Sequence, residues 1–350
     1  MQPQPAIIPH PNRILIIQFK YLGDAVFITP ALQALKAQYP SAEIHLLVSQ
    51  DVAPMFEHVS WITKIWVLPR KRGGSTFFES WPVIKKIRNC NFDLSIDFVG
   101  NDRGALLSLL IHAKSRVAPS EKKPNLLRKL AYTQIIPAER LPISWIKRHL
   151  QLLKLSLDTP IPRNLKMHIA SDPSCKDQAK DILKGHTVIC HVGTSQPKKE
   201  WSIQRWREFY FFAKNSGYKL AFSAGPNERE QGILAELKKQ ESDIFLLSPQ
   251  LDLTIYLAIL KQSRVVISGD TGPLHFAAGL GVKVIGLFGT TDSVLRASPI
   301  YDKKESILSK PCRCLGEKSK FVTCQEEQSC MESIIASDVF NKLKEIEPKP

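Results

Sequence analysis

Residues 268–281, Ser-Gly-Asp-Thr-Gly-Pro-Leu-His-Phe-Ala-Ala-Gly-Leu-Gly, carry side chains suited to holding an anion. Thr271 and Gly272 can offer backbone N–H groups, and Thr271 a hydroxyl, to a phosphate. Pro273 opens a short helix, whose N-terminal partial charge favours the same ligand. Asp270 and, one helical turn on, His275 complete the set. A lone His is more often structural, but the flanking Gly-Asp-Thr-Gly points to a binding role. A second stretch, His191-Val-Gly-Thr-Ser-Gln-Pro-Lys-Lys-Glu-Trp201, places the hydroxyls of Thr194 and Ser195 and the charge of Lys199 after a glycine. It suits a diphosphate, bound by hydrogen bonds and charge; the alternative is a solvated basic loop, which is the better reading for Lys198. A third, Lys20-Tyr-Leu-Gly-Asp-Ala25, puts Asp24 at a strand-to-helix turn. There a carboxylate either takes a proton from a substrate hydroxyl or caps the following helix. Neither a Walker motif nor G-x-G-x-x-G is present, so ATP hydrolysis and a dinucleotide fingerprint are not indicated.

The elements around these loops alternate as β and α. Arg13–Phe19 is a near-continuous apolar run, as in a strand buried on both faces of a parallel sheet. Thr29-Pro30 then reads as the cap and first residue of a helix running to Gln38. Strands are expected at Glu43–Val48, Ile65–Leu68 and Phe92–Phe98, with helices near Phe78–Asn89 and Asn101–Ile111. Residues 156–164, with two prolines, read as a linker. Strands are expected again at Leu165–Ile169, Thr187–His191, Lys219–Ser223, Ile244–Leu246, Val265–Ser268 and Val284–Phe288. Helices are expected over Ile203–Asn215, capped by Ser202, and over Ser337–Ile346. The expectation is an α/β protein with two doubly wound sheets: a domain over 12–160, a second over 161–330, and a terminal helix within 331–350 packing back on the first.

Composition bounds the setting. The chain has 350 residues, 43% of them apolar, and 48 Lys plus Arg against 33 Asp plus Glu, a net charge of +15. That excess favours an anionic partner: nucleic acid, an acidic membrane surface or a phosphorylated substrate. No apolar stretch approaches the roughly 20 residues of a membrane span, and the Pro-rich start does not read as a secretory signal, so the chain is expected in the cytosol. Four of seven cysteines cluster as Cys312, Cys314, Cys324 and Cys330. Their spacing lacks paired C-x-x-C, so a reduced, ligand-free loop is the favoured reading over a zinc site.

Gly23-Asp24, the Gly193–Trp201 loop, Gly269–His275 and the Gly289-Thr-Thr-Asp292 turn, in that order, resemble glycosyltransferase family 9, the lipopolysaccharide heptosyltransferases. The resemblance runs from about residue 13 to the end, and Cys312–Met331 is similar to the Cys-rich segment of heptosyltransferase II-like members. It implies a GT-B fold, two Rossmann-like domains facing a central cleft. The implied activity is inverting transfer of heptose from ADP-L-glycero-D-manno-heptose to the inner core of lipopolysaccharide. Asp24 matches the family's general base. Thr194, Ser195 and Lys199 match diphosphate-contacting positions. Asp270, Thr271, Gly272 and His275 match the donor-binding motif, Glu228 a ribose-binding carboxylate, and Leu251 a residue of the adenine pocket. The resemblance further implies an anionic, lipid-linked acceptor held by the N-terminal half, peripheral contact with the cytoplasmic face of the inner membrane and no nucleic acid. Protein cations serve the leaving diphosphate, so no cofactor and no essential divalent metal are expected. One departure is Gly289-Thr-Thr-Asp-Ser293, where the family often has Gly-Pro-Thr-Asp-Pro. Another donor or acceptor within the family, a catalytically silent sugar-nucleotide binder and a nucleic-acid-binding protein are the alternatives.

Overall fold

The computed structural model describes residues 10–19, 22–68, 77–120, 123–142, 144–161, 166–289, 307–309 and 329–349. Lys20 and Tyr21, the Arg70–Arg72 run, Lys122, most of the Gly289–Asp292 turn, and Cys312, Cys314 and Cys324 lie outside them. The chain divides into two compact units, Met1–Ala170 and Ser171–Pro350.

In the first unit, six parallel strands stand in the order β3-β2-β1-β4-β5-β6: β1 Arg13–Gln18, β2 Glu43–Ser49, β3 Lys64–Leu68, β4 Leu94–Asp97, β5 Ser115–Ser120 and β6 Gln134–Pro137. The chain starts at the middle, runs to one edge, returns and runs to the other. The switch point therefore lies between β1 and β4, where open sheets of this winding bind ligands. The apolar run of β1 is explained by position, since Ile14–Ile17 are fully buried in the centre of the sheet. Helices α3 (Phe77–Arg88) and α4 (Asp102–Ile111) cover one face, packing Ile84, Ile87, Leu107 and Ile111 on Leu15, Ile17 and Leu47.

Three local expectations are corrected. Gly23 and Asp24 do not lie in a loop; they belong to the first turn of a short helix, α1 (Leu22–Phe27), which forms because Ala25, Val26 and Phe27 bury together. Thr29 is not a cap: the cap of α2 (Thr29–Gln38) is Ile28, without a side-chain bond. The Thr29 hydroxyl instead donates to Val26 O (2.8 Å) and accepts from His168 N (2.9 Å). That second bond explains the third correction. Residues 166–169 form no strand, because their polar groups dock on the first unit: Lys166 O accepts from Gln33, His168 N donates to Thr29, and the following Ala170 N donates to Met55 O. The break between units accordingly falls at 170/171, not at 160/161.

The second unit repeats the winding, with order β12-β11-β10-β7-β8-β9, all parallel. The strands are β7 Val188–His191, β8 Leu220–Ser223, β9 Phe245–Leu246, β10 Val265–Gly269, β11 Lys283–Phe288 and β12 Ile307–Ser309. Its switch point lies between β7 and β10. Helix α7 (Lys176–Leu183) leads into β7, and α8 (Ile203–Asn215), α9 (Glu228–Gln240), α10 (Leu253–Gln262) and α11 (Gly272–Gly279) connect the strands from β7 to β11. Ser202 caps α8 as expected, accepting from Arg205 N. The terminal helix α12 (Ala336–Ile346) packs into the core of this second unit. Val339 and Leu343 join Trp206 and Phe209 of α8 in the core, and Trp201 Nε1 donates to Ile334 O (2.8 Å) just ahead of the helix.

Candidate active site

The residues singled out in the sequence gather at the carboxyl edges of the two sheets. In the first unit, Gln18 ends β1 and Asp24 follows in the first turn of α1, where a carboxylate is favoured by the helix dipole. Because α2 is capped without a side chain, Asp24 is not its cap. Asp24 lines a shallow pocket with Gln18, Phe27, Phe98, Val99, Trp145 and His149. Phe98 and Val99 come from the turn after β4, across the switch point. Trp145 and His149 sit one turn apart on α6 (Trp145–Leu157), with His149 stacked near Trp145 and edge-on to Phe98 at 4.9 Å. Beneath this wall, buried Asp97 accepts from Tyr132 Oη (2.6 Å) and Val99 N (2.8 Å), which holds the turn; burial pushes its carboxyl up. Sequence reasoning missed α6 and with it Trp145 and His149. Its signal was present in Ile146, His149, Leu150, Leu153 and Leu157, which recur at helical spacing and are all buried.

In the second unit, β7 ends at His191 and β10 at Gly269. The two following loops touch: a Cβ on Gly269 would stand 2.9 Å from Lys199 O and 3.0 Å from Thr194 Cγ2. Only glycine allows this approach, and it delivers Lys199 to Asp270. Lys199 Nζ lies 2.5 Å from Asp270 Oδ2, and His275 Nε2 lies 3.4 Å from Asp270 Oδ1. The Asp270 side chain is only 10% exposed. Burial pushes its carboxyl up, but the His275 hydrogen bond, the Lys199 charge and the Lys199 hydrogen bond outweigh it and hold the group at about 2. The cluster therefore carries a fixed anion bonded to a lysine, at the head of α11. Thr271 is the cap of that helix, with no side-chain cap bond, and Gly272 and Pro273 open it.

Other expected residues take different positions. The Thr194 hydroxyl closes a turn, donating to Gln196 O (2.6 Å) and accepting from Gln196 N (3.3 Å). Ser195 is exposed at the crest of the loop. Glu228 is exposed as the first residue of α9, and Leu251 is half-buried just ahead of α10. Neither belongs to the Lys199–Asp270–His275 chain. Three residues that sequence reasoning missed brace the phosphate-suited loop. Thr194 N donates to Glu200 Oε1 (3.3 Å), and Arg229 bonds both Glu200 and Thr194 O. Buried Glu230 accepts from Gly225 N (2.8 Å) and packs against Gly193, where a Cβ would meet its carboxylate. The Asn227-x-x-Glu230 spacing of a capping box was its legible signal. Deeper in the same edge, His191 Nδ1 lies 3.0 Å from Ser223 Oγ and 3.3 Å from Tyr256 Oη. Burial pulls His191 down to about 4, so it is neutral at physiological pH.

Two parallel sheets wound from the middle, each with polar residues at its switch point, have the GT-B architecture. The sequence model of glycosyltransferase family 9 (heptosyltransferase) matches residues 80–328, and the chain belongs to that family, among the heptosyltransferases of lipopolysaccharide core biosynthesis. It is similar to lipopolysaccharide heptosyltransferase 3 of Escherichia coli K12, 25% identical over 286 residues, covering 79% of this chain and 82% of the relative. The crystal structure of a glycosyl transferase family 9 protein from Veillonella parvula matches with a TM-score of 0.83 at 19% identity, over 96% of this chain and 97% of the other. E. coli heptosyltransferase WaaC with ADP-2-deoxy-2-fluoro heptose matches with a TM-score of 0.68 at 20% identity, over 95% and 99%. Among the described residues, no helix is long and apolar enough to cross a membrane, and no group of three or more His, Cys, Asp or Glu is placed to hold a metal ion.

Proposed function

We propose that this chain transfers heptose, with inversion, from ADP-L-glycero-D-manno-heptose to an inner-core acceptor of lipopolysaccharide on the cytoplasmic face of the inner membrane, in the manner of heptosyltransferase II. The observation that carries the reading is the Lys199–Asp270–His275 chain at the head of α11, on the switch point of the second sheet. E. coli WaaC, which is similar in fold, is seen with ADP-2-deoxy-2-fluoro heptose, and this supports the choice of donor.

Each group has a role that follows from its chemistry. In a single displacement the acceptor hydroxyl attacks the anomeric carbon, its proton passes to Asp24, and the bond to the diphosphate breaks on the opposite face. Negative charge then grows on the ADP. Lys199 has three donors, one of them engaged by Asp270, and it meets that charge together with the N-terminus of α11 at Thr271-Gly272. Asp270 fixes the ammonium and orients His275. The exposed Ser195 hydroxyl reaches a phosphate oxygen, while the Thr194 hydroxyl and backbone, bonded to Gln196, Glu200 and Arg229, hold the turn that presents it. Glu228 and Leu251 serve the ribose and the adenine. Protein cations do this work, so a divalent metal is not essential. The Asp24 pocket, walled by Phe98, Trp145 and His149, receives the acceptor sugar, whose apolar face suits aromatic rings. Incubating the protein with ADP-heptose, other nucleotide-sugars and heptose-deficient core oligosaccharide, with products read by mass, tests the reading. Heptose transfer from ADP-heptose is expected; transfer of a different sugar, or none from any donor, overturns it.

A further inference from the structure

Two of the three most exposed large hydrophobic side chains among the described residues are on one short helix. On α5 (Leu126–Ala131), Leu126 is 72% and Leu130 59% exposed. They stand four residues apart, on the same side of the helix. The opposite side is spent on the fold: Leu127 and Ala131 pack with Ala105 and Leu109 of α4. Lys129 is exposed between the two leucines, and Lys123 is exposed just ahead of the helix. Between Lys123 and Leu130 the sequence holds three basic residues and no acidic one.

The helix is held firmly enough to present this face. The Asn125 side chain caps it, accepting from Arg128 N (3.0 Å). Arg128 Nε donates to Asp102 Oδ1 (2.8 Å), which ties α5 to the first residue of α4. One turn along α4 from Asp102, Leu106 is also exposed. The N-terminus of α4 follows directly on the Phe98–Val99 turn, so the leucine face flanks the same carboxyl edge of the sheet as the Asp24 pocket.

We infer that Leu126 and Leu130, flanked by Lys123 and Lys129, form the contact of this protein with an anionic lipid bilayer surface. The inference rests on the proposed reading that the acceptor is membrane-anchored, and it names the surface that meets the membrane. Two leucines offer roughly 200 Å² of apolar surface, against the roughly 800 Å² per partner of a stable protein interface. The same leucines suffice to enter the boundary between headgroups and acyl chains, where lysines at the rim find lipid phosphates. Docking by this face brings the bilayer beside the pocket that would take a lipid-linked sugar.

Flotation of the full-length protein with vesicles tests the inference, comparing phosphatidylcholine alone with a phosphatidylcholine–phosphatidylglycerol mixture. The protein is expected to float with the anionic vesicles and not with the neutral ones. Leu126→Ser/Leu130→Ser and, separately, Lys123→Glu/Lys129→Glu should each weaken binding about tenfold or more. ADP affinity and the thermal unfolding midpoint should stay unchanged. Failure of the wild-type protein to bind anionic vesicles, or binding that both double variants retain, overturns the inference. So does a wild-type dimer that the leucine substitutions dissociate while vesicle binding persists. Transfer to a lipid-free core oligosaccharide, run in parallel, separates the two readings: vesicle binding lost with transfer intact removes the docking surface alone, and leucine-dependent binding without transfer removes the transferase reading alone.

Discussion

Replacing Asp270 by Asn tests the electrostatic heart of the site. The change keeps the shape of the side chain and removes its charge, and with it the ion pair to Lys199 and the charge-assisted bond to His275. In the folded protein the carboxyl is held at about 2, against an ordinary value of 3.8. At ~1.4 kcal/mol per tenfold in proton affinity, folding favours the ionised form by about 2 kcal/mol. The sign follows from the direction of the shift. A carboxyl depressed by folding adds stability that is complete well above 3.8 and is lost as pH falls towards 2. Urea unfolding should therefore show Asp270→Asn destabilised by about 2 kcal/mol at pH 7, with roughly half of that difference left at pH 3. Lys199 is partly exposed, so its ammonium regains water once the partner is gone and adds little further penalty. A variant as stable as the wild type at pH 7 would refute the view of Asp270 as a charge held by its neighbours. A loss of the same size at every pH would refute it too, since that is the mark of damaged packing.

Three further outcomes follow from the same geometry. Asp24→Asn should lower kcat by roughly 10²–10⁴-fold, as expected for a lost general base, while ADP affinity measured by calorimetry stays near the wild-type value; near-native kcat with chemistry rate-limiting would place the base elsewhere. Lys199→Ala should weaken binding of ADP far more than of adenosine, because in the proposed complex that cation meets the diphosphate and not the nucleoside, and equal losses for both ligands would take Lys199 away from the phosphates. Gly269→Ala forces a Cβ to within 2.9 Å of Lys199 O, so it should cost roughly 1–3 kcal/mol in unfolding and weaken ADP binding as well; an unchanged ADP affinity would show that the contact of the two loops does not shape the site.

What could be read without the fold was local. Apolar runs such as Ile14–Ile17 and Val265–Ile267 marked central parallel strands, because burial on both faces leaves no polar alternation. The Ser202 cap marked the start of α8 correctly. Elements with weak local signals were missed. β5 is Ser-Arg-Val-Ala-Pro-Ser, and its pairing with β4 stops at Val117, before Pro119. Conversely, 165–169 has strand-like alternation, but the donors of 166–170 find partners in Thr29 and Met55 instead of in a neighbouring strand.

The sequence by itself determined the alternation of strand and helix, the family, and the strand-end loops that carry Lys199, Asp270 and His275. A motif is a statement about neighbours in the chain, and strand-end loops with Gly, Thr and Asp carry it. Only the tertiary structure decided which of those side chains meet. Lys199 and Asp270, 71 residues apart, pair because β7 and β10 are adjacent at the switch point and Gly269 lets their loops touch. The same packing turned the Thr194 hydroxyl inward to Gln196, placed Arg229 and Glu200 behind the loop, and left Leu126 and Leu130 facing outward. Contacts between distant segments depend on strand order and on the space between backbones, and neither is written in the spacing of residues along the chain.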